Sequence, residues 1–188
     1  MRAGLAHRAL EARLHVMLEK PPAAGLSQVD ALVRASAGRT MLATWHSRES
    51  AAVDVAAAWL AARQIKAMRL NWREDVRVWH PGQDWLLAAG GFGVFDTAIN
   101  AFSILTHIMP QPLTLESADL GIPANRQAPM TIDVKAPDIA PDAEYPRLYA
   151  RFASLIDAGQ SDVDARPLTL VADAMMLGSQ HAIPTFEF

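Results

Sequence analysis

The sequence predicts an α/β fold from three observations. Apolar runs at residues 15–18 and 40–45 bracket a helical pattern, and the first run is halted by Pro21-Pro22. Residues 92–107 form a helical stretch with one formally charged side chain, Asp96. Two further apolar runs, 113–120 and 130–134, precede two amphipathic helical patterns. Such an order makes a parallel sheet first and an α+β arrangement after it.

Composition narrows the class. The chain has 188 residues, enough for one good core or two small ones, and its 51% apolar content describes an ordinary globular protein. A net charge of −3 gives no footprint for nucleic acid. The absence of cysteine excludes disulfides, thiolate metal sites and cysteine nucleophiles. No apolar run is long enough to span a bilayer and residues 1–8 lack the core of a signal peptide, which suits a cytoplasmic protein.

Residues 5–12 read as a helix leading into the strand at 15–18, which proline ends because it lacks the N–H for the next ladder bond. Lys20 therefore stands at the carboxyl end of a buried strand, the edge where open α/β sheets bind ligands. A partly desolvated lysine beside a carboxylate there can serve in proton transfer, or it is a solvated strand end. Ser27 and Asp30 resemble a capping box, with Val29, Leu32 and Val33 on one face and Gly38 as the stop. Residues 40–45 make the next strand. His46 follows at its carboxyl end, as a pocket residue or a satisfied structural group.

Residues 48–62 read as an alanine-rich helix with Val53, Ala56, Trp59 and Leu60 on its apolar side. Residues 65–78 alternate as a long strand, with Glu74 the lone carboxylate on the apolar face unless a bulge turns it to solvent. Trp79-His80-Pro81-Gly82 closes that strand with an aromatic ring and an imidazole suited to a sugar, or simply with a turn. Gly90-Gly91-Phe92-Gly93 opens the uncharged helix. Asp96, Asn100, Ser103 and His107 form one polar stripe along it, and buried polar groups require partners or a ligand. Residues 121–126 connect the two later strands, and 136–142 lead into a helix entered at Pro146 with a Leu148, Phe152, Leu155 and Ile156 stripe, stopped by Gly159. A last helix spans 167–177 before Gly178.

Glu19-Lys20-Pro21 after an apolar strand resembles the signature of the glucose–fructose oxidoreductase / inositol dehydrogenase (Gfo/Idh/MocA) family. The blocks at 14–24, Thr44-Trp-His-Ser-Arg48, 74–83 and 90–100 are most similar to its aldose 1-dehydrogenase branch, which acts on galactose or arabinose. The resemblance implies a Rossmann-type remnant over residues 1–46 and a C-terminal α/β domain for substrate binding and oligomerisation over 47–188, with an internal deletion near 136–141. It implies oxidation of the anomeric carbon of an aldose to the lactone, with NAD or NADP as cofactor. Lys20 and Asp96 would share the proton work, His46, Glu74, His80 and Asn100 would bind the sugar, and Glu19 and Pro21 would border the nicotinamide.

The sequence departs from the family in two ways. Asn100 stands where the family places a histidine four residues after the aspartate, which argues against histidine acid/base chemistry there. No Gly-x-Gly-x-x-Gly follows a strand anywhere, so the turn that holds a pyrophosphate is missing. The competing expectation is accordingly a non-catalytic remnant acting as a sugar-binding or oligomerisation module, pairing with itself through the C-terminal sheet. A metal site at His46, Glu74 and His80 has no recognised ligand spacing, so no metal is expected, and neither nucleic acid nor membrane is an expected partner.

Overall fold

The computed structural model describes residues 2–132 and 144–188. Helix α1 (Arg2–Glu11) leads into β1 (Val16–Glu19), and α2 (Leu26–Ala35) crosses over to β2 (Met41–Thr44). The two strands pair in parallel with Glu19 opposite Thr44, the arrangement a helical crossover makes. Asp162 flanks the other side of β2 through its backbone, donating to Met41 O and accepting from Ala43 N, each at 2.9 Å. All four residues of β2 are buried, as a strand covered on both sides should be.

A 3-10 turn (His46–Glu49) precedes α3 (Ala51–Ala61), one-turn α4 (Val76–Trp79) and a second 3-10 turn (Asp84–Leu87). Helix α5 (Phe95–Ile108) follows, then β3 (Asp119–Pro123) and β4 (Thr131–Ile132). Helices α6 (Glu144–Asp157) and α7 (Arg166–Leu177) lead to the final strand β5 (Ser179–Ile183). β3 is the middle of a three-stranded sheet, antiparallel to β4 and parallel to β5.

One apolar cluster joins the two sheets. Val16, Leu18, Met41 and Ala43 of the first sheet pack with Phe95 and Ile99 of α5, Val171 and Ala174 of α7, and Leu120 of β3. Phe95 and Ile99 are fully buried, and no residue of α5 is exposed, as its lack of lysine and glutamate requires.

Helix α5 is placed by a glycine. Gly93 has φ +55°, and a β-carbon there would lie 2.2 Å from Pro129 O. The bare backbone lets Val94 N donate to Pro129 O at 2.6 Å, which docks the start of the helix against the segment before β4. Gly93→Ala is expected to cost at least about 2 kcal/mol, through left-handed backbone strain and the forced retreat of Pro129. A denaturation midpoint equal to that of the parent would refute this docking role.

Several expected elements are corrected. Residues 65–75 form no strand, and 76–79 are helical. Alternation alone cannot hold a strand without a sheet neighbour, and here Asp75 accepts from Arg77 N at 3.0 Å and starts the turn of α4. The strand expected at 113–120 begins only at Asp119, where β5 supplies its parallel partner, and it runs through Gly121 to Pro123. β5 itself was not foreseen, because Ser-Gln-His-Ala-Ile carries no apolar alternation. Helix α2 starts after Gly25 with no side-chain cap, so the Ser27/Asp30 capping box does not form, and Val33 is exposed. Helix α3 begins at Ala51 after the 3-10 turn, and Trp59 lies outside the core with the Arg63 guanidinium 3.9 Å from its ring centre. The expectations placed on residues 133–143 lie outside the described residues.

Candidate active site

The carboxyl ends of β1 and β2 lie side by side, so Lys20 and His46 leave the sheet at the same edge. Lys20 Nζ meets the first turn of α5. It is 3.1 Å from Asp96 Oδ1 and donates to Asp96 O at 2.6 Å. Asp96 is favoured near this helix N-terminus, where a carboxylate complements the helix dipole. Its other oxygen, Oδ2, is 3.0 Å from His80 Nε2. The Lys20, Asp96 and His80 side chains are 16%, 17% and 24% exposed, which leaves them sheltered yet reachable from solvent.

The Lys20 amine is therefore held by one residue, through a hydrogen bond to its backbone carbonyl and an ion-pair contact with its carboxylate. Among the described residues, it makes no other hydrogen bond. An amine held in this way is aimed, and an aimed amine is what proton transfer to or from a bound hydroxyl needs.

The other sequence candidates gather around that cluster to different degrees. His46 stacks on Tyr145 with ring centres 5.7 Å apart and planes 13° apart, and Tyr145 Oη donates to Glu19 Oε1 at 2.9 Å. Glu19 and Pro21 also accept the Arg2 guanidinium through their backbone carbonyls. Asn100 is buried one turn along α5 from Asp96. Glu74 stands apart: it is exposed and accepts from Trp72 Nε1 at 2.5 Å, in place of the apolar strand face expected for it.

Sequence reasoning missed three contributors. Tyr145 reaches the site from α6, more than a hundred residues away in the chain, and no local pattern marks it. Gln83 lies beyond the Pro81-Gly82 turn and contacts His80. Behind the site, Arg48 of the first 3-10 turn donates to Asp164 Oδ2 at 2.7 Å, Ser103 O at 2.7 Å and Thr106 Oγ1 at 3.0 Å. This triad of bonds ties the turn that carries His46 to α5 and to the entrance of α7. Asp164-x-Arg166, an aspartate that also accepts from the N–H two residues on, was the one local signal available.

Among the described residues, no three histidines, aspartates or glutamates group to hold a metal, and no helix is long and apolar enough to cross a membrane.

Comparison with known proteins bears on this geometry. No family model matches the chain. A galactose 1-dehydrogenase from Pseudomonas fluorescens is 33% identical over an alignment that spans 245 positions, gaps included, and covers 98% of this chain and 76% of the relative. The crystal structure of a D-galactose-1-dehydrogenase protein from Rhizobium etli superposes with a TM-score of 0.90 at 40% identity, covering 99% of this chain and 76% of that one. A myo-inositol 2-dehydrogenase from Lactobacillus plantarum shares the fold, with a TM-score of 0.69 at 12% identity over 93% of this chain and 74% of that one. The two close matches cover nearly the whole chain, so the chain belongs to the galactose 1-dehydrogenase group of the Gfo/Idh/MocA sugar oxidoreductases.

Proposed function

We propose that this site oxidises the anomeric carbon of an aldose, galactose- or arabinose-like, to the lactone. The observation that carries the reading is the Lys20 amine, held on Asp96 at the carboxyl edge of a parallel sheet and reachable from solvent. The likeness to two galactose 1-dehydrogenases supports the choice of sugar.

The residues at the β1 edge fit one end of a nicotinamide dinucleotide. Glu19 and Pro21 flank Lys20, in position to border a flat ring beside the amine. A bound nicotinamide, of NAD or NADP, would take the hydride from the anomeric carbon.

Lys20 accepts the proton of the anomeric hydroxyl as the carbon–hydrogen bond breaks. Asp96 keeps the amine in line through its carboxylate and its backbone carbonyl. His46 and Asn100 offer hydrogen bonds to the ring hydroxyls from two neighbouring elements. Glu74, exposed and engaged by Trp72, lies outside that set.

The purified chain, given galactose or arabinose with NAD or NADP, is expected to produce aldose-dependent absorbance of reduced nicotinamide. Titration with either nucleotide should also quench part of the emission of its five tryptophans. No reduction with any aldose, together with no quenching by either nucleotide, would overturn the proposal.

A further inference from the structure

The side chain of Gln83 touches two rings. Its Oε1 lies 3.2 Å from Trp85 Nε1 and 3.3 Å from His80 Nδ1. An indole N–H can only donate, so it fixes which end of the amide is oxygen. Turning the amide over would set its –NH2 group against the indole N–H. The same oxygen faces His80, and a carbonyl oxygen can only accept, so Nδ1 must carry a proton. On the far side of the imidazole, Nε2 is 3.0 Å from Asp96 Oδ2, and an ionised carboxylate also only accepts.

We infer that Gln83 is a positioning residue that holds His80 with a proton on both ring nitrogens, so that the imidazolium supplies the counter-charge of Asp96. The inference rests on the reading of the site given under Proposed function. The groups facing the imidazole are Asp96 at Nε2 and Gln83 at Nδ1, with Lys20 on the other oxygen of Asp96 and Trp85 acting through Gln83.

The consequence concerns Lys20. With His80 sharing the charge of Asp96, the carboxylate does not depend on Lys20 alone for a counter-charge, and Lys20 is left to serve as the base of the proposed reaction. Its amine bonds to Asp96 O, with Asp96 Oδ1 3.1 Å away. During oxidation the hydroxyl O–H breaks and an N–H forms on Lys20, while the carbon–hydrogen electron pair leaves as hydride to the nicotinamide. His80 and Asp96 keep their own protonation throughout and stay a neutral pair, so the charge that faces the oxygen as alkoxide character develops is the one gathering on Lys20.

Nitrogen-15 spectra of the imidazole rings test this on the folded chain at neutral pH, without sugar or nucleotide. A His80→Asn variant identifies the His80 signals among the six histidines. The parent should show both His80 nitrogens protonated. In Gln83→Leu the occupancy of the Nδ1 proton should fall about tenfold, since a hydrogen bond from a charged donor is lost. Gln83→Glu keeps an acceptor in the same place and should restore it. Trp85→Phe, at a half-exposed ring, frees the amide to turn and should lower the occupancy in a second way. An unprotonated Nδ1 in the parent, or the same protonation in Gln83→Leu and Trp85→Phe as in the parent, overturns the inference. Because no turnover is measured, absence of aldose oxidation would defeat the proposed function without altering this result.

Discussion

Replacement of Lys20 by alanine is expected to lower aldose oxidation by about 10³-fold, within the range a positioned acid or base contributes. The fold should survive it. Lys20 lies at the rim of the sheet, and its loss leaves Asp96 bonded to His80 rather than stranded. Lys20→Arg sharpens the test. A guanidinium can keep the ion pair with Asp96, yet it holds its protons at any working pH and cannot accept another. If the lysine matters as a proton acceptor, arginine should fail almost as badly as alanine. If it matters only as the cation of Asp96, arginine should restore most of the rate. The measurement is kcat/KM at saturating nicotinamide, with circular dichroism melting as the control. Undiminished turnover in Lys20→Ala would remove the mechanistic basis of the proposed function.

Lys20 was legible in the sequence for a physical reason that does not extend to its neighbours. An apolar run stopped by two prolines is a local signal, and the carboxyl end of a strand is a local address. Asp96 was legible too, since one charge on an otherwise uncharged helix must find a use. Their meeting was not legible. It depends on Gly93 letting α5 dock beside Pro129, and on the joint burial of Phe95 with Val16 and Leu18. The fold shows the same division. Strands β1 and β2 stand close to where the apolar runs place them, because each pairs with the other across a short helical crossover. Residues 65–75 alternate as convincingly, yet no neighbouring strand receives them among the described residues. β5 has no alternation and is a strand because β3 needs a partner. His80 was noted beside a turn, but its bonds to Asp96 and Gln83 arise from tertiary approach, which periodicity cannot report.

The largest stability effect is expected at Asp164. Its carboxylate is 12% exposed and faces the 9%-exposed side chain of Arg48, across 116 positions of sequence. Arg166 adds further bonds to the same carboxylate from its guanidinium and its backbone N–H. Burial pushes the Arg48 guanidinium below its usual range, and Asp164 offsets part of that shift. Burial alone would raise the Asp164 carboxyl, but the bonds from Arg166 and Arg48 outweigh it and hold the group at about 2, against an ordinary 3.8.

Asp164→Ala therefore leaves a buried cation without the carboxylate it is bonded to, with Asp162 the remaining acidic neighbour, and it is expected to cost about 3 kcal/mol, a large share of the total stability of a domain. Arg48→Met should cost less, because the thioether fills much of the same space and Asp164 keeps Arg166. The double variant should regain a good part of the loss, since neither charge is then stranded. The acid limb follows from the sign of the shift. A carboxyl bound more weakly to its proton in the folded chain than in the unfolded one stabilises the fold fully above about pH 4, and that contribution is lost as pH falls toward about 2. Urea midpoints for the parent and the three variants, taken near neutrality and again across that acid window, check both claims. If Asp164→Ala matches the parent near neutrality, the Arg48 ion pair does not hold the His46 turn to α5 and α7.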